Sequence, residues 1–348
     1  MVVMAARREA VMATDKLDLR QVQYSLIIYA GSTKYVMNEA MEDLGWEEGD
    51  SELSTRITFS LSDTKTAHGH PSEKVWLGRK VVVRAKCGDM DEEVARGMIV
   101  EWTRKIVSKS IIIKAKCYGP MIAFRSQIYA YFPSDTNTTT IFKALCKEVN
   151  VKIGEYKGPN KSHGKTCYKS KTVANAVTEM LDDAKKRGSE KYVILEKQDK
   201  IYVYPYGYNK AVWQITGAHV ITSEHGRSIE KIVTRVQVIG QADDDGKAPV
   251  EATVNGKTKF GIRQKLVTRG KDESIEDAQS TAQDILDDEG RKKETITLTC
   301  VDVPFIHKGE KIHIKHGSMN DYYYVSGVSH DASRGTMTLK LKTEKYVK

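Results

Sequence analysis

Strict alternation of apolar and polar positions dominates the first third of the chain. Arg56–Leu61 sets Ile57, Phe59 and Leu61 against Thr58 and Ser60, the period of a half-buried strand. After Gly78, the residues Val81, Val83, Ala85 and Cys87 share one face. In the next strand Met98, Val100 and Trp102 share a face, with Glu101 and Thr103 opposite. A turn at Val107–Lys109 leads to Ile111, Ile113, Ala115 and Cys117 on one side. Residues 21–132 therefore predict an antiparallel meander with one solvated side.

The period changes after Pro133. Ser134–Thr138 is rich in helix-capping residues, and Ile141, Phe142, Leu145 and Val149 follow at helical spacing. The Gly/Lys/Pro segment Gly154–Gly164 predicts a loop. Thr172 then stands as an N-cap before the stripe Val173, Ala176, Val177, Met180, Leu181 and Ala184, and Gly188 marks the stop. Two strands, Lys191–Leu195 and Lys200–Val203, complete a small α+β block.

From Trp213 the chain returns to strands. The pattern predicts a long strand over Ile229–Ile239 and a hairpin excursion or mobile loop over the acidic Ala242–Lys259. It predicts a helix over Ser274–Glu289, capped by Ser274 with Asp277 and ended by Gly290. Thr295–Val301 alternates again, and Met337, Leu339 and Leu341 form one face of the last strand. One phrase recurs: Gly78-Arg79-Lys80 opens a strand, and Gly309-Glu310-Lys311 opens another, each followed by two more alternating strands. The expected fold is α+β and mainly β. Two similar antiparallel β-domains, 1–132 and 213–348, flank a small α+β domain, 133–212. Residues 1–20 form an extension of open role, and the last domain carries one helix.

At 348 residues the chain is long enough for two or three domains, at about 100–200 residues each. The net charge of +9 comes from 55 basic and 46 acidic residues spread along the whole chain. No basic run forms a nucleic-acid arm, so the charge predicts a solvated surface. The five cysteines, Cys87, Cys117, Cys146, Cys167 and Cys300, are widely spaced and include no C-x-x-C. They predict reduced thiols, with Cys87, Cys117 and Cys300 in the core. Arg7, Arg8 and Glu9 break the apolar stretch Met1–Ala13, which argues against a signal peptide. No segment approaches the ~20 apolar residues of a membrane span.

Candidate chemistry is sparse. No phosphate-binding glycine fingerprint is present. His307, His313 and His316 lie near Cys300, but His313 and His316 are an odd step apart and face opposite sides of a strand. His68 and His70 sit in a polar loop, and a His163–Cys167 pair has no third, orienting group. The acidic pairs Glu47-Glu48, Asp182-Asp183 and Asp287-Asp288, and the run Asp243–Asp245, read as solvated faces. Tyr202, Tyr204, Tyr206 and Tyr208 suggest a stacking platform or, more in keeping with tyrosine's half-wet character, a contact surface between domains or subunits. No catalytic, cofactor-binding or metal-binding residue is assigned.

The order of elements resembles the hub proteins of phage contractile-tail baseplates, in particular the XkdQ/YqbQ group of prophages and tail-like bacteriocins, related to the late control gene D proteins. The matching stretches are Ser54–Leu61, Gly78–Cys87 with Gly97–Cys117, Thr138–Val151, Thr172–Tyr204, Tyr322–Asp331 and Thr336–Leu341. The resemblance covers the chain beyond about residue 20 and rests on order and spacing. It implies tube-like β-domains and a structural homotrimer that joins a six-fold tail tube, or a tube-initiator protein, to a three-fold central spike. Baseplate and tape-measure proteins are further implied neighbours, with no membrane and no sequence-specific nucleic acid as partner. It also implies manufacture in a bacterial cytoplasm, with no enzymatic step and no cofactor. A tail-associated peptidoglycan-degrading enzyme is the alternative from another class, and a basic DNA-contacting tube lining is a third.

Overall fold

The computed structural model describes residues 10–13, 17–49, 53–108, 110–270 and 273–347. Most of the 1–20 extension, and Lys109 of the predicted turn, lie outside the described residues. The chain divides into two compact units, 1–223 with 297–348, and 224–296.

The first unit opens with β1 (Ala10–Ala13), β2 (Gln23–Ala30), β3 (Thr33–Val36), β4 (Met41–Glu48) and β5 (Arg56–Ser62). The meander β6 (Lys80–Cys87), β7 (Met90–Val107) and β8 (Ser110–Tyr118) follows. Val81, Val83, Ala85 and Cys87 are buried together, as are Ile113, Ala115 and Cys117. On β7 the expected face is wrong. Ile99 is buried, whereas Met98 is 45% exposed and Val100 also faces solvent. The reason is a bulge between Ile99 and Glu101 in the β7–β8 pairing, which shifts the side-chain alternation by one residue.

Next come β9 (Gln127–Phe132), β10 (Thr136–Asn137), α1 (Thr138–Glu148), β11 (Ile153–Tyr156), β12 (Ser162–His163), β13 (Thr166–Thr172), α2 (Val173–Lys186), β14 (Tyr192–Lys197) and β15 (Lys200–Pro205). The predicted 154–164 loop thus contains two short strands. Asn137 caps α1 through the Thr140 amide, and Thr172 caps α2 through the Asn175 amide. The apolar stripes of the two helices meet Ile194, Ile201 and Val203 of the β11-β15-β14 sheet in one core around Phe142 and Met180.

The chain continues through β16 (Ala211–Thr216), β17 (Val220–Ser228), β18 (Arg235–Ile239), β19 (Val250–Asn255), β20 (Gln264–Thr268), α3 (Ile275–Glu289) and β21 (Lys293–Val301). It ends in β22 (Lys311–His316), β23 (Met319–Asp331) and β24 (Thr336–Lys342). The strand expected over 229–239 begins only at Arg235, because the Ile232 amide closes a turn on Ile229. The acidic segment is a turn at 243–246 leading into β19. In the second unit β18 pairs β19 antiparallel and β20 parallel. Val236 and Val238 pack there on Ala278, Ala282 and Leu286 of α3.

Among the described residues fourteen strands form one sheet, in the order β1-β16-β22-β23-β4-β5-β8-β7-β6-β2-β3, with β24 on β23, β21 on β24 and β17 on β21. The α+β, mainly β fold expected from the sequence is the observed one. No helix among the described residues is long and apolar enough to cross a membrane.

Candidate functional site

The repeated phrase recurs as a hydrogen-bond frame. Lys80 pairs with Met98, which pairs onward with Tyr118. Lys311 pairs with Tyr324, which pairs onward with Lys342. Just before each Lys, the Gly78 amide donates to the Ile99 carbonyl (2.8 Å) and the Gly309 amide to the Val325 carbonyl (2.7 Å). The return bonds run from the Ile99 amide to the Arg79 carbonyl and from the Val325 amide to the Glu310 carbonyl, both 2.9 Å. Gly78 and Gly309 have φ of 81° and 86°, a region that favours glycine. The bulge falls at the same place, between Ile99 and Glu101 in one copy and between Val325 and Gly327 in the other. In both copies the first half of the long middle strand therefore pairs with the preceding strand and the second half with the following one.

The copies also differ. β2 runs antiparallel to β6, whereas β16 runs parallel to β22. The strand Ala10–Ala13, part of the 1–20 extension, pairs parallel with β16.

The two copies meet at a seam. β23 pairs antiparallel with β4, with Val328, Ser329, His330 and Asp331 opposite Glu48, Glu47, Trp46 and Gly45. Trp46 stacks on His330 at 4.4 Å between ring centroids. His330 Nδ1 lies 2.6 Å from Asp302 Oδ1, and the Tyr24 hydroxyl donates to Asp302 Oδ2 at 2.5 Å. Burial and the Asp302 charge push the Tyr24 phenol well above its usual pKa. Gly45 is obligatory here, because a Cβ would sit 2.8 Å from the His330 carbonyl oxygen.

Beside the seam lies a cavity of about 690 Å³ lined by Glu48, Glu196, His307, Glu310, Tyr204 and Tyr208, among others. Glu48 is only 7% exposed. One of its oxygens lies 2.7 Å from His307 Nδ1, and the other accepts the Lys308 amide at 2.8 Å. Although burial disfavours ionisation, this pair with His307 and Lys308 holds the Glu48 carboxyl below its usual range. Against the same desolvation, Glu48 pushes His307 up to about 9. Glu196 accepts the Thr55 amide at 2.6 Å and the Met121 amide, yet burial pushes it up to about 7. Burial pushes Glu310 up to about 7 as well, and its Oε2 has no hydrogen-bond partner among the described residues. Each phrase lysine also touches the α+β block. Lys80 Nζ is 2.5 Å from Asp199, and the Lys311 amide donates to Asn209 at 2.7 Å.

A polar trough also crosses the seam. It is lined by Arg56, Lys114, Lys116 and Arg334 and by an equal number of carboxylates, Asp43, Glu47, Glu101 and Asp331.

Several residues fall elsewhere than the sequence suggested. Glu48 is buried rather than part of a solvated face, and His307 is ion-paired rather than free in a loop. Both depend on contacts more than two hundred residues apart in sequence, which no local pattern announces. His163 is buried, bonded to Thr138 and Asp183, while Cys167 is exposed on β13, so the two form no couple. Tyr202, Tyr204 and Tyr208 stack on one another at 6.0 and 5.0 Å between centroids. They form a wall of the cavity. Tyr208 also lies against Gly309, where an added Cβ would stand 3.2 Å from its ring. The described residues contain no cluster of metal-ligating side chains.

Known structures share this architecture. A tail protein from Neisseria meningitidis MC58 matches with a TM-score of 0.68 and 14% identity over 93% of this chain and 98% of its own. A 43 kDa tail protein of prophage MuSo2 from Shewanella oneidensis matches with a TM-score of 0.68 and 13% identity over 93% and 100%. An E. coli type VI secretion component, described as similar to the T4 tail proteins gp27 and gp5, matches at 0.53 and 11% over 93% and 78%. No curated protein matches the sequence. The fold and the duplicated frame define the class, a β-rich protein with the fold of phage tail proteins. Residues 44–344 match the YQBQ-like family model, and the chain belongs to that family.

Proposed function

We propose that this protein is the structural hub of a contractile-tail baseplate, in a phage or a tail-like bacteriocin, and that it works as a homotrimer. Three chains, each with two like β-halves, offer six similar elements to a six-fold tube while keeping three-fold symmetry for a central spike. The observation that carries this reading is the shared frame: equivalent pivots, glycines and bulges in both halves. In this reading the domains are 1–132, 133–212 and 213–348, with the compact unit 224–296 inserted in the third. The tube or tube-initiator and spike proteins are the direct partners, with baseplate and tape-measure proteins beyond them. The balanced charges of the trough argue against a surface that grips DNA. Co-expression with the tube and spike proteins, followed by native mass spectrometry, tests the proposal. A trimer is expected, and a persistent monomer sinks it.

The cavity supports a second reading, a wall-degrading enzyme. Glu310 and His307 supply a protonatable carboxyl and an imidazole beside open space. A zymogram on host cell wall separates the readings. A cleared band lost in Glu310→Gln favours the enzyme, and an intact wall favours the hub.

A further inference from the structure

The duplication locates a strand edge that the single chain leaves unpaired. Counting from the pivots Met98 and Tyr324, residues Trp102–Lys105 of β7 stand where Val328–Asp331 stand on β23. On β23 that stretch pairs with β24 along one edge and with β4 along the other. On β7 the same stretch pairs with β8 alone among the described residues. The strand that occupies the place of β4 in the second half is β17. It pairs with β21, which pairs with β24, just as β4 pairs with β5 and β5 with β8. β17 has no other strand partner among the described residues. Each chain therefore has one filled seam and two open halves of a second. Both open edges carry apolar side chains in water, Ile106 at 68% exposure and Ile221 at 55%. Neither Trp102–Lys105 nor Val220–Ser223 contains a proline, and the charges on the first edge are Arg104 and Lys105.

We propose that Trp102–Lys105 of one copy pairs antiparallel with the Val220–Ser223 part of β17 in the next, repeating the β23–β4 seam between chains. The occupant is a second copy of this chain, because the chain already makes this contact with itself at the equivalent position. The contact is heterologous, so it closes into a ring when the rotation fits. The inference rests on the hub reading and specifies which backbone edges join.

The test is disulfide trapping in a Cys167→Ser background, which removes the exposed native thiol. Thr103→Cys is combined in turn with Ile221→Cys, Thr222→Cys and Ser223→Cys, since directly paired Cα atoms lie within disulfide reach. Ser329→Cys with Glu47→Cys, opposite each other in the existing seam, is the internal control. With tube and spike proteins co-expressed, oxidation is expected to convert most of the chain to a reducible covalent trimer for at least one of the three pairs. Hydrogen exchange on the unaltered protein is expected to slow at Trp102–Lys105 upon assembly. A native trimer in which the control pair closes, no inter-copy pair links and these amides stay fast overturns the seam and leaves the hub reading standing. A monomer throughout overturns both.

Discussion

The two β-meanders share a backbone but not an environment. In β6–β8 the frame glycine, Gly78, has open space where a Cβ would be; in β22–β24 its counterpart, Gly309, has Val193 Cγ1 2.4 Å from that point. The position equivalent to exposed Arg104 is the buried His330, stacked on Trp46 and bonded to Asp302. What is constant is the pattern of amide–carbonyl bonds and the bulge, both set by φ and strand length. What varies is what lies against them. The frame specifies the shape of the element, and side chains then specify which edge finds its partner inside the chain.

The sharpest way to break this comparison is at the paired positions themselves. His330→Ala leaves the buried Asp302 carboxylate without its imidazole and is expected to cost about 3–5 kcal/mol in urea unfolding. Arg104→Ala is expected to stay within about 0.5 kcal/mol for the isolated chain. Equal costs would mean that the seam contributes nothing particular. Gly309→Ala combines left-handed strain with overpacking on Val193 and is expected to cost about 2–4 kcal/mol, against about 1–2 for the strain alone in Gly78→Ala.

Proton linkage gives a smaller, graded effect. Glu196 and Glu310 keep their protons in the folded state up to about 7, and His307 keeps its proton up to about 9. In each case the folded chain binds more protons than the unfolded one above the ordinary pKa. The contribution is therefore present at low pH and lost as pH rises, across about 4.5 to 7 for the carboxyls and 6.5 to 9 for the imidazole. Melting temperature is expected to fall between pH 6 and 9, and less steeply in Glu310→Gln. A single capping effect belongs to a helix outside the repeat. Thr172→Ala removes the α2 cap and should cost about 1 kcal/mol, read from thermal unfolding.

Much of this fold was legible in the sequence because its signals are local. Alternation marked β5, β6, β8 and β24, and caps at Thr172 and Ser274 marked helix starts to the residue. Alternation alone points to the wrong face of β7, because a bulge leaves no compositional trace and Ile99 and Val100 are equally apolar. The buried Glu48 and His307 were illegible for a different reason. Adjacent acids read as solvated until a partner at position 307 folds over them. The seam itself joins residues 45–48 to 328–331, and no window of sequence spans that separation.

Only seven residues, 49–55, separate β4 from β5 in the sequence, while the equivalent connection from β17 to β21 contains a folded unit with its own core. Lengthening a loop whose ends are already held costs only about 0.6 kcal/mol per doubling. That corner of the motif is thus a socket. It carries cargo in one half, and the equivalent seven-residue connection in the other is the natural place to graft a reporter or a binding module between the two strands.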